Sequence, residues 1–270
     1  MLEKKALKEA YEQCGVANGS VVYVTGNLGR LGFTSSQPGR KVQTMEDHLD
    51  VLLELLGPNG TIVFPTHSWS TFKDGFGEFD PEHTQCDYLF SEFCRTNLDL
   101  KRTKHCLASI AAYGKDAEAI IFTAQNRNPY GFLSPFDALV SKNALHVSIG
   151  MPVSSTISAV HHCELMAQVP YRFIKEFNYR LVENNISSNA VCTLYVTYLN
   201  FDIVRDKNRK ICSLSGNREV LRSFNAGRGI IQSIPLKQFV QTTVQSMLED
   251  PYIWLKNEPD KRPYNNMPVP

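Results

Sequence analysis

The sequence has almost no net charge, no long apolar run and no export signal. Its 28 Lys and Arg residues balance 27 Asp and Glu residues, which gives a formal net charge of +1 at pH 7. Because so neutral a chain does not attract polyanions as a whole, we expect no nucleic-acid and no membrane partner. No run approaches the roughly 18 apolar residues of a membrane span, and MLEKKALKEAYEQCG at the amino terminus has no apolar signal region. We therefore expect a cytoplasmic protein.

The seven cysteines include no C-x-x-C pair. An odd number at irregular spacing indicates neither a disulfide framework nor a zinc ribbon, so we expect reduced thiols and no metal. Repeats, low-complexity tracts and dividing linkers are also absent. The 270 residues, 43% of them hydrophobic, are enough for a sizeable core. We predict a single domain over residues 1–270, with a proline-rich tail at about 251–270.

Strand and helix patterns alternate along the chain. Apolar runs bounded by turn residues predict strands at SVVYVTG, GTIVFPTHSW, LASIAAYG, ALHVSIG and AVCTLYVTYL. Helical spacing predicts helices at residues 2–13 and at TMEDHLDVLLELLG, CDYLFSEFCRT, GKDAEAIIFTAQ and VHHCELMAQV. Thr44, with Asp47 three positions later, predicts a capped helix start, and Gly57 predicts the end of that helix. Residues 72–84 read as a loop. This alternation predicts an α/β domain with a mostly parallel or mixed sheet.

The stretch SAVHHCE, residues 158–164, contains two histidines, a cysteine and a glutamate. On a helix His161 and Glu164 share a face, whereas His162 is turned about 100° away. A carboxylate beside an imidazole raises its basicity and fixes its tautomer, which favours a general base. Metal binding is less favoured because the spacing is not H-E-x-x-H. Spacing alone does not exclude an ordinary hydrogen-bonded helix histidine.

Two other stretches could receive an anion. VTGNLGRLGF follows a predicted strand and contains three regularly spaced glycines: Gly26, Gly29 and Gly32. It matches no standard nucleotide motif, but its backbone N–H groups and Arg30 could hold a phosphate. An ordinary glycine turn explains it equally well. KRTKHCLAS clusters four basic side chains, Lys101, Arg102, Lys104 and His105, for which a solvated basic edge is the usual outcome.

The order of several motifs resembles the aminoglycoside 3-N-acetyltransferase family. RTKHCLAS, YGFLSPFDAL, VSIG, SAVHHCE and VPYR follow the family's succession of R-S-x-H-P-x-x-S, G-x-x-S-P-x-x-x-L and T-x-x-H-x-x-E. Earlier, VTGNLGRLG, GPNGTIVFPTHSWS and FDPEHTQ are similar to its first loop, second strand and F-D-P segment. Together these pieces cover about residues 8–245. The resemblance implies a three-layer α/β/α sandwich with a central mixed sheet, antibiotic N-acetyltransferase-like and distinct from the GNAT fold.

The resemblance also implies transfer of an acyl group from acetyl-CoA, or another acyl-CoA, to an amine. His161 matches the family's motif histidine and would take a proton from the amine, while Glu164 would orient and stabilise the imidazolium. Ser158 stands at the family's threonine position and retains a hydroxyl for the developing oxyanion, with Thr156 as the alternative. Backbone amides of the first loop would face CoA, at Thr25, Gly26, Asn27 and Leu28. Further side chains match positions that line the CoA cleft: Arg102, His105, Ser109 and Ser134.

Departures from the family pattern concern the acceptor more than the reaction. Cys106 replaces a proline, and Leu89 stands where glycine is common. A polycationic aminoglycoside needs a strongly acidic cleft, which is only partly supplied by Asp74, Glu78, Asp80, Glu82 and Asp87. A solvated acidic loop would explain these five equally well. We predict substrate contacts from Asp80 and Glu82.

The predicted acceptor is an amino sugar, free or nucleotide-linked, used in surface polysaccharide or natural-product biosynthesis. Aminoglycoside acetylation conferring antibiotic resistance is the second substrate hypothesis, and a homodimer is left open. Two other classes also stay open. An amide hydrolase could use His161 and Glu164 to activate water, and a non-catalytic protein could bind a small molecule. Binding of CoA separates the acyltransferase from the hydrolase, and loss of turnover in His161→Ala separates it from the binding protein.

Overall fold

Strands and helices alternate along most of the chain. The computed structural model describes residues 1–70, 77–124, 126–199, 202–206 and 214–260. Within these ranges the strands are β1 (Val21–Gly26), β2 (Thr61–Pro65), β3 (Glu78–Phe79), β4 (Lys101–Arg102), β5 (Ile110–Gly114), β6 (Leu145–Ile149), β7 (Arg172–Glu183), β8 (Ile186–Thr197), β9 (Arg222–Ala226) and β10 (Gly229–Pro235). The helices are α1 (Lys4–Gln13), α2 (Arg40–Leu56), α3 (Leu89–Asn97), α4 (Ala117–Ile121), α5 (Pro135–Ser141), α6 (Ala159–Met166), α7 (Ser215–Val220) and α8 (Leu236–Glu249).

A seven-stranded mixed sheet forms the middle layer, in the order β4-β5-β2-β1-β6-β10-β9. Strand β1 is at its centre and runs parallel to both β2 and β6. The outer pairings of β5 with β2 and of β10 with β6 are antiparallel. β2 is buried throughout and β1 over its first four residues, and both consist mainly of apolar residues, as expected for strands covered on both faces.

Two apolar clusters lie on opposite faces of this sheet. Val22 and Val24 of β1 pack into a cluster with residues of α1, α2 and α3. Val21 and Tyr23, which point the other way, pack into a cluster with residues of α4, α5, α6 and α8. This alternation is the two-residue period of a strand. The resulting α/β/α layers confirm the predicted sandwich with a central mixed sheet.

A second, smaller sheet packs beside the first. It has the order β3-β7-β8, with β7 and β8 forming a long antiparallel hairpin. Asn184 and Asn185 turn this hairpin with positive φ angles of 50° and 62°, which asparagine tolerates better than most residues. Buried residues of β3, β7 and β8 pack on the segment around Leu107. The small sheet thus packs on the segment that leads into β5 of the large sheet.

Several element predictions are confirmed and others are wrong. The strands expected at SVVYVTG, GTIVFP, LASIAAYG and ALHVSIG are β1, β2, β5 and β6. The helix start predicted at Thr44 is wrong, because α2 begins at Arg40 after Gly39, and the Thr44 hydroxyl donates to the Arg40 carbonyl inside the helix. Strand β7 was not predicted, since five of its twelve residues are charged. Strands β9 and β10 and helix α8 were also not predicted.

Two predicted segments lie partly outside the described residues. Residues 72–76 of the predicted loop lie outside the described residues, and the rest of that loop contains the short strand β3. Residues 261–270 of the proline-rich tail also lie outside. Earlier in the tail, Leu255 is buried in the core and bridges Arg205. The single-domain assignment stays a prediction. In the described part of the chain, no helix combines the length and apolar character needed to cross a bilayer.

Gly26 closes β1 where the backbone of β6 comes very near. Its φ is +115°, and a Cβ there would lie 2.2 Å from the Ile149 carbonyl oxygen. We expect Gly26→Ala to lower the free energy of unfolding by at least about 3 kcal/mol, since backbone strain adds to a clash between two strands. Gly19→Ala is the control, because Gly19 has a φ of +79° and nothing within 4 Å. That change should cost about 1 kcal/mol. Equal losses in urea denaturation of the two variants would contradict this role of Gly26.

Candidate active site

His161 and Glu164 lie on one face of α6, as their spacing predicts. Nδ1 of His161 is 2.7 Å from Oε2 of Glu164. With Nδ1–H donating to the carboxylate, Nε2 keeps its lone pair. The His161 side chain is 24% exposed, whereas that of Glu164 is fully buried. His162 points elsewhere, and its Nδ1 accepts from the Gly131 N–H at 3.2 Å. The site therefore has one accessible imidazole, oriented by a buried carboxylate.

Three partners hold the Glu164 carboxylate. Besides His161, the Tyr171 hydroxyl donates to Oε1 at 2.9 Å, and Nε of Arg172 lies 2.8 Å from the same oxygen. Burial alone would raise the pKa of Glu164, but the hydrogen bond from His161 and the Arg172 charge outweigh it and bring that pKa to about 2. Glu164 is therefore ionised across the physiological range.

Burial is the largest influence on His161 and lowers the pKa of its imidazole below 6.5. The hydrogen bond and charge of Glu164 act in the opposite direction and limit this shift. The ring is therefore neutral at pH 7. A neutral imidazole with a free Nε2 lone pair can accept a proton from a molecule bound beside it.

Two cavities border the first turn of α6. The first, here the hairpin cavity, has a volume of about 570 Å³ and is lined by His161 and by residues that include Trp69, Tyr130, Arg172, Phe177 and Arg205. The second, the loop cavity, measures about 480 Å³ and is lined by residues that include His67, Tyr88, Thr156, Ser158 and the segment 23–29. The His161 N–H donates to the Ser158 carbonyl at 2.9 Å. One helical turn thus contributes a side chain to each cavity.

The four loop residues predicted to contact CoA all line the loop cavity: Thr25, Gly26, Asn27 and Leu28. A tight turn shapes this loop, because Oδ1 of Asn27 accepts from the Gly29 N–H at 3.0 Å. The Thr25 hydroxyl is 3.0 Å from Nε2 of His146, a ring that burial keeps neutral with a pKa of about 3. The loop thus has the exposed turn geometry expected from its glycines.

Ser158 and Thr156 both line the loop cavity, but their hydroxyls differ in how they are held. The Thr156 hydroxyl donates to Oγ of Ser148 at 2.9 Å and lies 3.1 Å from Nε2 of His146. Oγ of Ser158 lies 3.3 Å from the Tyr23 hydroxyl. The Tyr130 hydroxyl also contacts Ser158; because a tyrosine hydroxyl can act as donor, Ser158 can keep its own hydrogen for a bound molecule.

The side chains of Arg102 and Ser109 line neither cavity and are buried in a polar network. Nε of Arg102 donates to the hydroxyls of Thr66 and Ser109 at 3.1 Å. Its terminal nitrogens donate to the carbonyls of Thr66 and Thr84 at 2.7 and 2.6 Å, and its guanidinium lies over the Phe79 ring. Burial lowers the pKa of Arg102 to about 10. These contacts join segments beneath the small sheet and leave no donor facing the loop cavity, contrary to the expected CoA-cleft position.

His105 and Ser134 are likewise outside both cavities. Nδ1 of His105 accepts from the Ala108 N–H at 2.9 Å, and Nε2 is 3.1 Å from the Thr193 carbonyl oxygen. Ser134 is the amino-terminal cap of α5, and its Oγ accepts from the Asp137 N–H. Their side chains are committed to loop and helix-end hydrogen bonds. A direct contact of these two residues with CoA stays a prediction that the cavities do not support.

His105 is also part of a close group with Cys106 and Cys192. Ligand-type atoms of the three lie within 4.8 Å of one another, and the two sulfurs are 2.9 Å apart. Both ring nitrogens of His105 already have partners, so the imidazole has no lone pair to offer a metal. The six cysteines in the described residues are free thiols; Cys212 lies outside those residues.

The predicted substrate residues Asp80 and Glu82 form a turn of their own. The Asp80 carboxylate accepts from the backbone N–H of Glu82 at 2.8 Å and is 2.9 Å from Nδ1 of His83. Neither residue lines the hairpin cavity beside His161. The acidic side of that cavity, expected from these residues, is therefore not present among the residues described.

Sequence reasoning did not assign roles to His67, Tyr130 and Arg205. His67 is buried at the end of β2, its Nδ1 is 3.2 Å from the Tyr88 hydroxyl, and burial lowers its pKa to about 3. Tyr130 packs edge-on against the His161 ring, with centroids 5.7 Å apart. These positions depend on contacts between distant segments, for which no local pattern gives a signal. For Tyr171 and Arg172 the sequence signal is VPYR, whose residues could either close the acceptor site or pack at the end of the helix.

Comparison with known proteins decides the family. A match to the family described as aminoglycoside 3-N-acetyltransferase extends over residues 28–248. The chain belongs to this family. Aminoglycoside N(3)-acetyltransferase IV of Salmonella sp is 32% identical over 142 residues, 49% of this chain and 51% of the relative. Aminoglycoside N(3)-acetyltransferase III of Pseudomonas aeruginosa is 22% identical over 190 residues, 63% of this chain and 66% of the relative. The alignments thus span about half and just under two thirds of these relatives.

Solved structures of family members confirm the fold. The structure of aminoglycoside acetyltransferase AAC(3)-Xa has a TM-score of 0.76 at 16% identity and covers 95% of both chains. AAC-IIIb, solved as a binary complex with CoASH, has a TM-score of 0.74 at 17% identity and covers 95% of this chain and 99% of its own. The aminoglycoside 3-N-acetyltransferase fold, distinct from the GNAT fold, is therefore established for this chain.

The contact between His161 and Glu164 should affect the pKa of the His161 imidazole in the protein without ligands. Glu164→Gln removes the negative charge that raises the pKa of His161, keeps only a weaker, neutral acceptor for Nδ1–H, and leaves the Arg172 charge, which lowers this pKa. We expect the imidazole to titrate below pH 6.5 in the wild type and lower still in the variant. NMR titration of the ring, assigned with His161→Asn, measures both midpoints, and near-UV circular dichroism checks the fold. A higher midpoint in the variant would show that Glu164 does not act on His161.

Proposed function

We propose that the protein is an acyl-CoA-dependent N-acetyltransferase that acylates a primary amine of an amino sugar, free or nucleotide-linked. The observation that carries the proposal is a neutral His161, oriented by an ionised Glu164, on the helical turn between two cavities. Membership of the aminoglycoside 3-N-acetyltransferase family supports it. A reaction between two bound molecules needs such an arrangement, with one molecule on each side of the base. Use of acetyl-CoA is in keeping with a cytoplasmic protein.

The loop cavity is the proposed site for acetyl-CoA. The segment Thr25–Leu28 would face the pantetheine and pyrophosphate, as glycine-containing turns can do for anions. The Asn27 N–H already donates to the Ile149 carbonyl at 2.7 Å, so the Leu28 N–H is the proposed backbone donor in this segment. A neighbouring family structure contains CoASH, which supports a donor site in this fold. No metal enters the proposal.

His161 is the proposed general base. An ammonium has no lone pair, so the amine must lose a proton before or as it attacks the thioester carbonyl. Nε2 would take this proton, directly or through water. When the tetrahedral intermediate collapses, the carbon–sulfur bond breaks, CoA leaves as a thiolate, and the imidazolium can return the proton to that sulfur. The ionised Glu164 stabilises the imidazolium that forms, as the aspartate does in a catalytic triad. Tyr171 and Arg172 hold the carboxylate in place.

The thioester oxygen becomes negatively charged as the amine attacks. A donor aimed at that oxygen stabilises the transition state more than the ground state. We assign this role to the Ser158 hydroxyl, which lines the loop cavity three residues before His161. The Leu28 N–H of the loop is the other proposed donor on that side.

An aminoglycoside acceptor is the second substrate candidate, and the names of the two curated relatives favour it. The lining of the hairpin cavity favours a less cationic molecule. Among the described residues it contains Arg172 and Arg205 and no carboxylate. A polycation would meet repulsion there. We therefore keep the amino sugar as the first choice.

His161→Ala tests the catalytic role of the imidazole. We expect kcat for thiol release from acetyl-CoA to fall at least about a hundredfold with a panel of amino sugars, since a general base contributes that much. Calorimetric binding of CoA should be retained, because His161 lines the other cavity. His162→Asn is the matched control: its amide oxygen can still accept from Gly131, and kcat should stay within a few-fold of wild type. A His161→Ala enzyme of normal kcat would exclude His161 as the base.

Ser158→Ala tests the oxyanion donor. Loss of one such donor typically lowers kcat about a hundredfold or more, and we expect this with little change in CoA affinity. Thr156→Val should instead lower the melting temperature and leave kcat within about tenfold, since the Thr156 hydroxyl is bonded within the protein. The reverse pattern in the two variants would move the role to Thr156.

A further inference from the structure

The hairpin cavity has an unusual charge pattern for a site that receives an amine. Two guanidinium side chains line it, Arg172 and Arg205, together with His161. No carboxylate is present in its lining, within the ranges that the structure describes. Glu164 lies behind this lining, fully buried, and both of its oxygens already have partners. The accessible wall beside the base is therefore cationic.

One nitrogen of Arg172 is buried without a hydrogen-bond partner among the described residues. Arg172 is only 7% exposed; its Nη1 donates to the Tyr195 carbonyl at 2.6 Å, and its Nε faces Glu164. The nitrogen without a partner is Nη2. A buried guanidinium nitrogen without a partner costs stability unless a bound molecule supplies an acceptor.

Arg205 adds a second charge near the first. Arg205 is an exposed residue, yet loss of hydration and then the neighbouring charge of Arg172 lower its pKa, while the charge of Glu164 opposes this. Two like charges that repel across a cavity are relieved by an anion between them. An oxyanion is the group that guanidinium donors bind best, because its geometry matches theirs.

The remaining wall is apolar and partly aromatic. Trp69 and Phe177 line the cavity together with Leu107, Leu194 and Val196. Such a surface accommodates the body of a small molecule while a few polar groups fix its orientation. A molecule with several ammonium groups would gain nothing from this wall and would be repelled by the two arginines.

We propose that the acceptor carries a carboxylate or phosphate group in addition to its amine, and that Arg205, with the charge of Arg172 beside it in the cavity lining, binds this anion so that the amine faces His161. This inference rests on the proposed function and specifies its substrate class. An acidic amino sugar or a phosphorylated one satisfies it. The anion would also hold the molecule in one orientation, which sets the distance between its amine and the base.

Matched amines test the proposal. Thiol release from acetyl-CoA is measured with glucosamine, glucosamine 6-phosphate, glucosaminic acid and the polycation kanamycin. We expect kcat/KM for at least one anionic amine to exceed that for glucosamine by about ten- to a hundredfold, the range for a charged hydrogen bond. The phosphate and carboxylate arms show which oxyanion fits.

Arg205→Gln tests the assignment to this residue. It should reduce the ratio of kcat/KM between the preferred anionic amine and glucosamine by about tenfold or more, mainly through KM, and Arg205→Lys should restore part of it. Arg127→Gln is the control, because it removes the same charge from an exposed arginine that lines neither cavity. Its ratio should equal that of the wild type.

Three different results would contradict the anionic acceptor, the role of Arg205 and the proposed function, respectively. If glucosamine or kanamycin is acetylated more efficiently than both anionic amines, this inference is wrong and the proposed acetyltransferase stands. If the anionic preference persists unchanged in Arg205→Gln, the anion is bound elsewhere and the assignment is wrong. If no amine causes thiol release and CoA does not bind, the proposed function itself fails, and this inference with it.

Discussion

A buried, ionised carboxylate is the feature on which the rest of the site depends. Glu164 has no contact with solvent, and its charge is maintained by His161, Tyr171 and Arg172. Isolated charges are costly in a protein interior, so each partner is needed to keep the group ionised. In return, Glu164 fixes the tautomer of His161 and keeps its Nε2 available. Arg172 connects this network to the lining of the hairpin cavity, and its Nη2 is buried without a hydrogen-bond partner among the described residues.

The fold brings the two cavities to this network. Strand β1 lies between β2 and β6, so the loop after β1 and the segment after β6 emerge at the same edge of the sheet. Helix α6 begins in that segment, which places Ser158 beside the loop and His161 beside the β7–β8 hairpin. The hairpin starts at Arg172, only a few residues after α6 ends. A short stretch of chain thus supplies His161, its partner Glu164, and Arg172, which lines the hairpin cavity.

The sequence allowed part of this arrangement to be predicted. A three-residue separation on a helix is a local relation, so the contact between His161 and Glu164 followed from spacing alone. Four of the five inner strands of the large sheet were also readable, because strands buried on both faces are rich in apolar residues. Whether a polar side chain faces a cavity or the interior depends on contacts between distant segments. For this reason the positions of Arg102 and Ser134 could not be predicted. Their residue types suit an anion site, yet one joins buried segments and the other caps a helix. Arg205 comes near Arg172 only through folding, which no local pattern records.

In the proposed reaction, acetyl-CoA and the acceptor amine meet at His161 from opposite sides of one helical turn. A crystal structure with CoA and an anionic amino sugar bound together tests this most directly. We predict CoA along the loop cavity, the acceptor in the hairpin cavity, and the amine nitrogen about 3 Å from Nε2 of His161, within hydrogen-bond reach. An amine bound in the loop cavity, or one that faces the hairpin cavity's arginines while His161 contacts only water, would contradict the account.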